Sequence, residues 1–212
     1  MIGDKLVIEQ HHTERAVEIC ALLKDRLRDR FVVTVAGESG SGKSELASEI
    51  ARLLTQEGLQ TGILQQDDYF VYPPQTNAKV RKKDIGWVGT GEVKLDLLDR
   101  NLSDILGGKQ NIEKPLAIFE EDRFITEKIA VGDARVAIAE GTYTTLLNNA
   151  HCHIFIDRTF RETKAARLER AREEQDDFLE RVLTIEHDII SGHKAKAHII
   201  VGADYSVGKA GQ

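Results

Sequence analysis

Apolar positions change period along this chain. Residues 13–29 place Ala16, Ile19, Cys20, Leu23 and Leu27 at helical spacing, with Thr13 as candidate N-cap and Glu14 in the first turn. Residues 31–36 (FVVTVA) form a continuous, β-branched apolar run, which predicts a strand buried on both faces of a parallel sheet. Residues 37–42 break that run. The helical period then returns over 44–56, with Leu46, Ile50, Leu53 and Leu54 on one face and Gly58 as the stop. A second strand over 62–65 ends at Asp67-Asp68. Residues 71–94 carry Pro73-Pro74, Gly86, Gly89, Gly91 and the basic triplet Arg81-Lys82-Lys83, and read as a long loop with some helix. Loops of that length in a folded domain are usually functional or disordered. A Leu-rich helix over 96–106 follows, then strands at 128–131, 135–139 and 153–156. Residues 160–190 read as helical with an acidic interruption at 173–177, and a short strand at 198–201 precedes a fraying tail.

This alternation predicts an α/β fold, a parallel sheet flanked by helices with right-handed crossovers. Gly37, Asp67, Glu140 and Asp157 punctuate the carboxyl ends of the strands, the edge where open α/β sheets bind ligands. The 212 residues suffice for one domain with its own core. The expected division is a helical extension over 1–30, a main domain over 31–205 and a flexible tail over 206–212. Two cysteines exclude a disulfide framework, and Cys20 and Cys152 are expected reduced and partly buried. No apolar run approaches the roughly 20 residues of a membrane span, and early acidic residues argue against a signal peptide. A net charge of −6 argues against a general nucleic-acid or membrane-surface binder. A cytoplasmic protein is expected. Residues 1–30 are placed either over the sheet edge or in a homo-oligomer contact.

The strongest chemical signal is GESGSGKS, comprising Gly37, Glu38, Ser39, Gly40, Ser41, Gly42, Lys43 and Ser44. It fits G-x-x-x-x-G-K-[ST] between a strand and a helix, the context in which the motif holds phosphates. Glycines let successive N–H groups curl inward around an anion, and the helix adds its positive end. Lys43 is placed to reach the β- and γ-phosphates of ATP, and the Ser44 hydroxyl to ligate Mg²⁺. Glu140, ending an apolar strand, is the expected magnesium-side acid. Asp67 after the second strand is the candidate base that accepts a proton from an attacking hydroxyl; Asp68 reads as a helix cap or as its alternate. Arg161, Lys164, Arg167 and Arg170 recur every third residue, and Arg167 and Arg170 are the candidates to spread charge on the transferred phosphate.

In this order, GESGSGKS, QDDYF, a Leu-rich helix, AEGTY, IDRTFRETKAARLERARE and ERVLTIEHDIISGHKAKAHIIV resemble the uridine kinase / phosphoribulokinase-like family of P-loop kinases. The resemblance covers residues 31 to about 202. It implies a P-loop NTPase-type sheet with a helical lid, and transfer of phosphate from ATP to a hydroxyl of a small molecule. It assigns Asp67 as base, Glu140 as magnesium-side acid and Arg167 and Arg170 as lid arginines. Tyr69 and Arg123 are the acceptor-side candidates. At the family's nucleoside-holding positions this chain has Lys94, Ala117, Glu121 and Ile185. A nucleoside acceptor therefore stands beside a sugar phosphate or pantothenate-like one, which 81–83 would hold. A regulatory P-loop NTPase is the remaining alternative, although no N-K-x-D guanine reader occurs. His193 and Lys194 fall where the family's adenine-side contacts lie. Trp87 is expected to cap the acceptor pocket or pack on the sheet. His151 and His153 share a strand face and offer two imidazoles to a metal.

Overall fold

Strand β1 (Phe31–Gly37) is buried along its whole length and organises the molecule. A computed structural model describes residues 6–170 and 175–210. Phe31, Val33 and Val35 face one side of the sheet, where α1 (Gln10–Lys24) and α2 (Lys43–Gln56) pack through Ile19, Leu23, Leu46, Ile50 and Leu54. Val32 and Ala36 face the other side, with Leu98 and Leu102 of α4 (Leu95–Leu106) and Ile190 of α6 (Asp177–Ile190). Each such aliphatic side chain contributes about 1.5–3 kcal/mol on burial. The central sheet takes the order β2-β5-β1-β6-β7-β8, with β2 at Thr61–Gln65, β5 at Val136–Glu140, β6 at Cys152–Ile156, β7 at Ile199–Val201 and β8 at Val207–Lys209. All its pairings are parallel except β7 with β8.

The parallel core is as expected, and the differences lie at its margins. Helix α1 begins ahead of Thr13, because His12 Nδ1 accepts the Glu9 backbone N–H and closes the first turn. The Thr13 hydroxyl is spent elsewhere, donating to Glu49 on α2 at 2.7 Å. Residues 71–94 contain α3 (Pro74–Lys83), started by a proline whose fixed φ suits a first helical turn. Residues 164–190 divide into α5 (Lys164–Arg170) and α6, which Asp176 caps by accepting from the Leu179 N–H at 2.8 Å. Of the expected acidic interruption at 173–177, residues 173–174 lie outside the described residues. Part of the expected flexible tail is β8, which extends the sheet edge.

Outside the main sheet, β3 (Asn111–Ile118) and β4 (Arg123–Ala130) form an antiparallel hairpin. Its first strand was not predicted, because Lys114 and Pro115 interrupt the apolar signal. Lys114 points inward, with its charge held by Asp68 at 2.7 Å and Glu127 at 3.1 Å. Asp122 at the hairpin tip accepts from the N–H groups of Gln75 and Thr76, which ties the hairpin to the start of α3. Among the described residues, no helix is long and apolar enough to cross a membrane. Cys20 and Cys152 are buried and unpaired as disulfides.

Candidate active site

The carboxyl ends of β1, β2 and β5 place their loops side by side. A cavity of about 200 Å³ opens there, and Lys43, Ser44, Asp67, Glu140 and Arg167 all line it. Asp67 and Glu140 come from the ends of the neighbouring strands β2 and β5, Lys43 and Ser44 from the start of α2, and Arg167 from α5. The loop over 37–44 turns at Gly40 and Gly42, whose φ angles are +73° and +91°. At Gly40 a side chain would be strained and would also collide with Arg167, whose Cγ lies 2.8 Å from where a Cβ would stand. Glycine is therefore what lets Arg167 lie on the loop over 37–44.

The Lys43 ammonium donates to the Glu38 backbone carbonyl at 2.8 Å, folding the lysine across the loop. The Ser44 hydroxyl donates to Glu140 Oε1 at 3.1 Å, so the two expected magnesium-side groups meet. An alcohol and one carboxylate facing an open cavity suit Mg²⁺, which keeps waters and shares substrate phosphate oxygens rather than using an all-protein cage. Among the described residues, no cluster of three or more His, Cys, Asp or Glu side chains is placed to hold a metal. His151 and His153 serve the sheet: His151 Nδ1 accepts the Val32 N–H, and His153 Nδ1 bonds the Thr34 hydroxyl at 2.8 Å.

The two adjacent aspartates part company. Asp67 lines the cavity. Asp68 is buried, paired with Lys114 and accepting the Ala117 N–H at 3.0 Å. A short 3-10 turn over Gln66–Tyr69 produces this division by presenting successive side chains in different directions.

Glu38 has a role that a phosphate-loop reading misses. Its buried carboxylate accepts the Phe160 N–H at 2.6 Å and meets His187 Nδ1 of α6 at 2.7 Å. Ser39 offers its carbonyl to the Thr163 hydroxyl at 2.7 Å. The loop over 37–44 is thus fastened at two points to the segment that leads into α5. Ser41 is buried with its hydroxyl unbonded among the described residues. Arg167 is also buried and donates to the Phe160 carbonyl and, at 2.8 Å, to the Thr163 hydroxyl. Arg170 ends α5, and its side chain lies outside the described residues.

The other end of the cavity is lined by Phe70, Pro74, Asn77, Ala78, Arg81, Phe119, Leu183 and Glu186. Of the basic triplet, only Arg81 reaches it. Its guanidinium forks onto Glu92 and bonds Glu186 at 2.9 Å. Lys82 instead lies over the Phe178 ring, and Lys83 is exposed. Trp87 braces this end from behind, its indole N–H donating to Asn77 Oδ1 at 2.9 Å while Asn77 donates to Glu92. Glu186, Asn77 and Glu92 escaped the sequence reading because they come together only when α3 and α6 face each other.

Two expected acceptor contacts fail. Tyr69 is fully buried in the core beneath α4 and does not line the cavity. Arg123 is half exposed at the hairpin tip, paired with Glu121. His193 and Lys194 also lie off the cavity, His193 buried against Tyr143 and Lys194 bonded to Asp157 at 2.6 Å. Burial pushes the Tyr69 phenol above its usual range, and its hydroxyl has no hydrogen-bond partner among the described residues. Removing an unsatisfied hydroxyl costs little. Tyr69→Phe is expected to leave turnover within twofold and stability unchanged or raised by up to about 1 kcal/mol, measured by urea unfolding.

Residues 32–184 match the Phosphoribulokinase / Uridine kinase family. A bifunctional alpha-galactosidase/sucrose kinase of Mediterraneibacter gnavus is 26% identical over 193 residues, covering 84% of this chain. This chain spans only 21% of that protein's length. A uridine kinase of Ureaplasma urealyticum is 29% identical over 158 residues, covering 73% of this chain and 75% of the relative. Among solved structures, a possible uridine kinase from Bacillus stearothermophilus superposes with a TM-score of 0.60 at 16% identity, covering 88% of this chain and 97% of its own.

Proposed function

The chain belongs to the phosphoribulokinase / uridine kinase family and is a P-loop phosphotransferase; on that premise we propose that it moves the γ-phosphate of ATP to a hydroxyl of an uncharged, hydroxyl-rich small molecule, a sugar or a nucleoside. The observation that carries this is the single cavity in which Lys43, Ser44, Asp67, Glu140 and Arg167 meet. Lys43 and the N–H groups of the loop hold the phosphates. Ser44 and Glu140 would hold Mg²⁺, which when bound neutralises charge on the β- and γ-phosphates. Asp67 accepts the proton of the acceptor hydroxyl and orients its oxygen. Arg167 lies against the loop at Gly40, within reach of charge that develops on the transferred group.

The acceptor's charge follows from Arg81. Its single positive charge already faces two carboxylates, Glu92 and Glu186, and Asp67 stands at the same cavity. An anionic acceptor brought there would meet like charge before it met an open cation. Carboxylate oxygens and the Asn77 amide are instead good partners for hydroxyls, and the Phe70, Pro74 and Phe119 side chains suit an apolar ring face. Sucrose and uridine, in the names of the two relatives, are both uncharged polyols.

The test measures ATP consumption with Mg²⁺ against uridine, cytidine, neutral mono- and disaccharides, pantothenate and sugar phosphates, with products identified by mass spectrometry. Phosphate on a neutral acceptor is the expected result. Preference for pantothenate or a sugar phosphate would overturn the charge argument. Steady hydrolysis that no acceptor stimulates would replace the phosphotransferase reading with a regulatory NTPase.

A further inference from the structure

The second residue of the loop over 37–44 is an acid, Glu38. A negative charge in a loop suited to anions opposes that task unless it is engaged elsewhere. Glu38 is buried and does not line the cavity that Lys43 and Ser44 share. Its two carboxylate oxygens are divided. Oε2 accepts the Phe160 N–H at 2.6 Å, and Oε1 meets His187 Nδ1 at 2.7 Å. A carboxylate only accepts, so His187 Nδ1 carries the proton and donates it. The His187 ring also stands edge-on to Phe160, with 5.9 Å between centroids.

His187 is next in sequence to Glu186, and consecutive residues of a helix point about 100° apart. Helix α6 therefore turns two neighbouring side chains to two different partners. His187 reaches the loop over 37–44. Glu186 lines the other end of the cavity and bonds Arg81 of α3 at 2.9 Å. Arg81 also bonds Glu92 at 3.0 Å, Glu92 accepts from Asn77 at 2.6 Å, and Asn77 accepts the Trp87 indole N–H at 2.9 Å. Leu183 and Leu179, one and two turns earlier on α6, line the same cavity and cluster with Phe160. One face of α6 thus joins the loop to the wall at the far end of the cavity.

The loop end of this connection is also held from the backbone side. The Lys43 ammonium donates to the Glu38 carbonyl at 2.8 Å. In a P-loop that ammonium is the group that reaches the β- and γ-phosphates. A nucleotide arriving in the loop redirects it, and the Glu38 peptide then loses or shares a bond it holds here. The carboxylate of the same residue holds α6.

We propose that Glu38 and His187 are positioning residues that latch α6 to the phosphate loop, so that filling the loop sets the register of the wall at Glu186 and Arg81. The carboxylate and imidazole hold the helix rather than the phosphates or the acceptor. This rests on the acceptor reading of that end of the cavity.

Trp87 is the chain's one tryptophan and ends the bonded path on the acceptor side, so its emission reports on that wall. The full chain is titrated with Mg-ADP, followed by calorimetry and by Trp87 emission, and is assayed with ATP and the neutral acceptors, uridine and sucrose among them. In the wild type, ADP binding is expected to shift Trp87 emission. His187→Ala should bind ADP within threefold of wild type, lose that shift, and raise the acceptor KM about tenfold, the effect of one charge-assisted hydrogen bond. His187→Asn should restore both, because asparagine offers an N–H at the δ position that Nδ1 occupies. A shift retained in His187→Ala, or absent from wild type that binds ADP, would overturn the latch. A lowered thermal midpoint in His187→Ala, with shift and KM at wild-type values, would also overturn it and leave the pair a structural role. ADP binding weakened tenfold in His187→Ala would do the same by moving the pair into the nucleotide site. Wild-type protein that shows the shift but phosphorylates no acceptor would instead overturn the acceptor reading, with the latch standing on the emission.

Discussion

Asp67→Asn is expected to lower kcat by about 10²- to 10⁴-fold while ATP affinity changes less than threefold, the range a positioned proton acceptor supplies. The substitution keeps the shape of the side chain and removes its capacity to take a proton. The loop over 37–44 is untouched, so phosphate binding survives. The neighbouring Asp68→Asn should behave in the opposite way. Asp68 and Lys114 are almost fully buried against each other, and when Asp68 is neutralised Lys114 keeps the Pro115 carbonyl and, as a charged partner, the partly exposed Glu127. Breaking one side of such a pair costs about 3 kcal/mol, since Glu127 still shares the charge. Urea unfolding separates the two cases: Asp67→Asn holds the wild-type midpoint with depressed turnover, whereas Asp68→Asn loses midpoint first. Turnover of Asp67→Asn within tenfold of wild type would move the base to Glu186, another carboxylate lining the cavity.

That contrast also shows how far the chain could be read unaided. Strands buried on both faces announce themselves as unbroken apolar runs, so β1, β5 and β6 and the parallel core were legible. So was the phosphate end of the site, because GESGSGKS needs its glycines and its lysine at fixed offsets along one stretch of backbone. Ser44 and Glu140 lie far apart in sequence, Ser44 placed by the motif and Glu140 by its strand end; the fold then brings them to 3.1 Å. The acceptor end follows no such local rule. Glu92, Asn77, Arg81 and Glu186 come from separate elements, and their bonding depends on how α3 and α6 meet. Tyr69 misled because it follows two informative aspartates, but one more step around a 3-10 turn carries it into the core. Strand β3 was invisible for a related reason: an inward lysine compensated by a distant aspartate looks like a solvent-facing charge. Helix α1 was foreseen as a helix, and only the structure brings its His12 to Gly42.

Arg167→Ala is expected to lower kcat by about 10³-fold with less than tenfold loss of ATP affinity, comparable to removing an arginine that stabilises a transferring phosphate. The structure offers a competing account, because Arg167 also bonds the Phe160 carbonyl and the Thr163 hydroxyl and so helps shape the turn that carries α5. The two accounts differ in what restores activity. If the guanidinium acts on the phosphate, free guanidinium ion added to the Ala variant should recover part of kcat, because Ala leaves a space beside Gly40 that the ion fits. If Arg167 only shapes the turn, added guanidinium cannot rebuild it, and the loss should appear in the unfolding midpoint. Arg167→Lys separates charge from geometry. An ammonium supplies the charge but lacks the planar fork, and it cannot bond the turn and a phosphate oxygen together. A Lys variant that stays at least tenfold below wild type, beside an Ala variant rescued by guanidinium, would place the guanidinium in the reaction. A normal kcat in both variants would leave Lys43 and Mg²⁺ to stabilise the transferred charge, and would assign Arg167 to fastening the lid segment onto the phosphate loop.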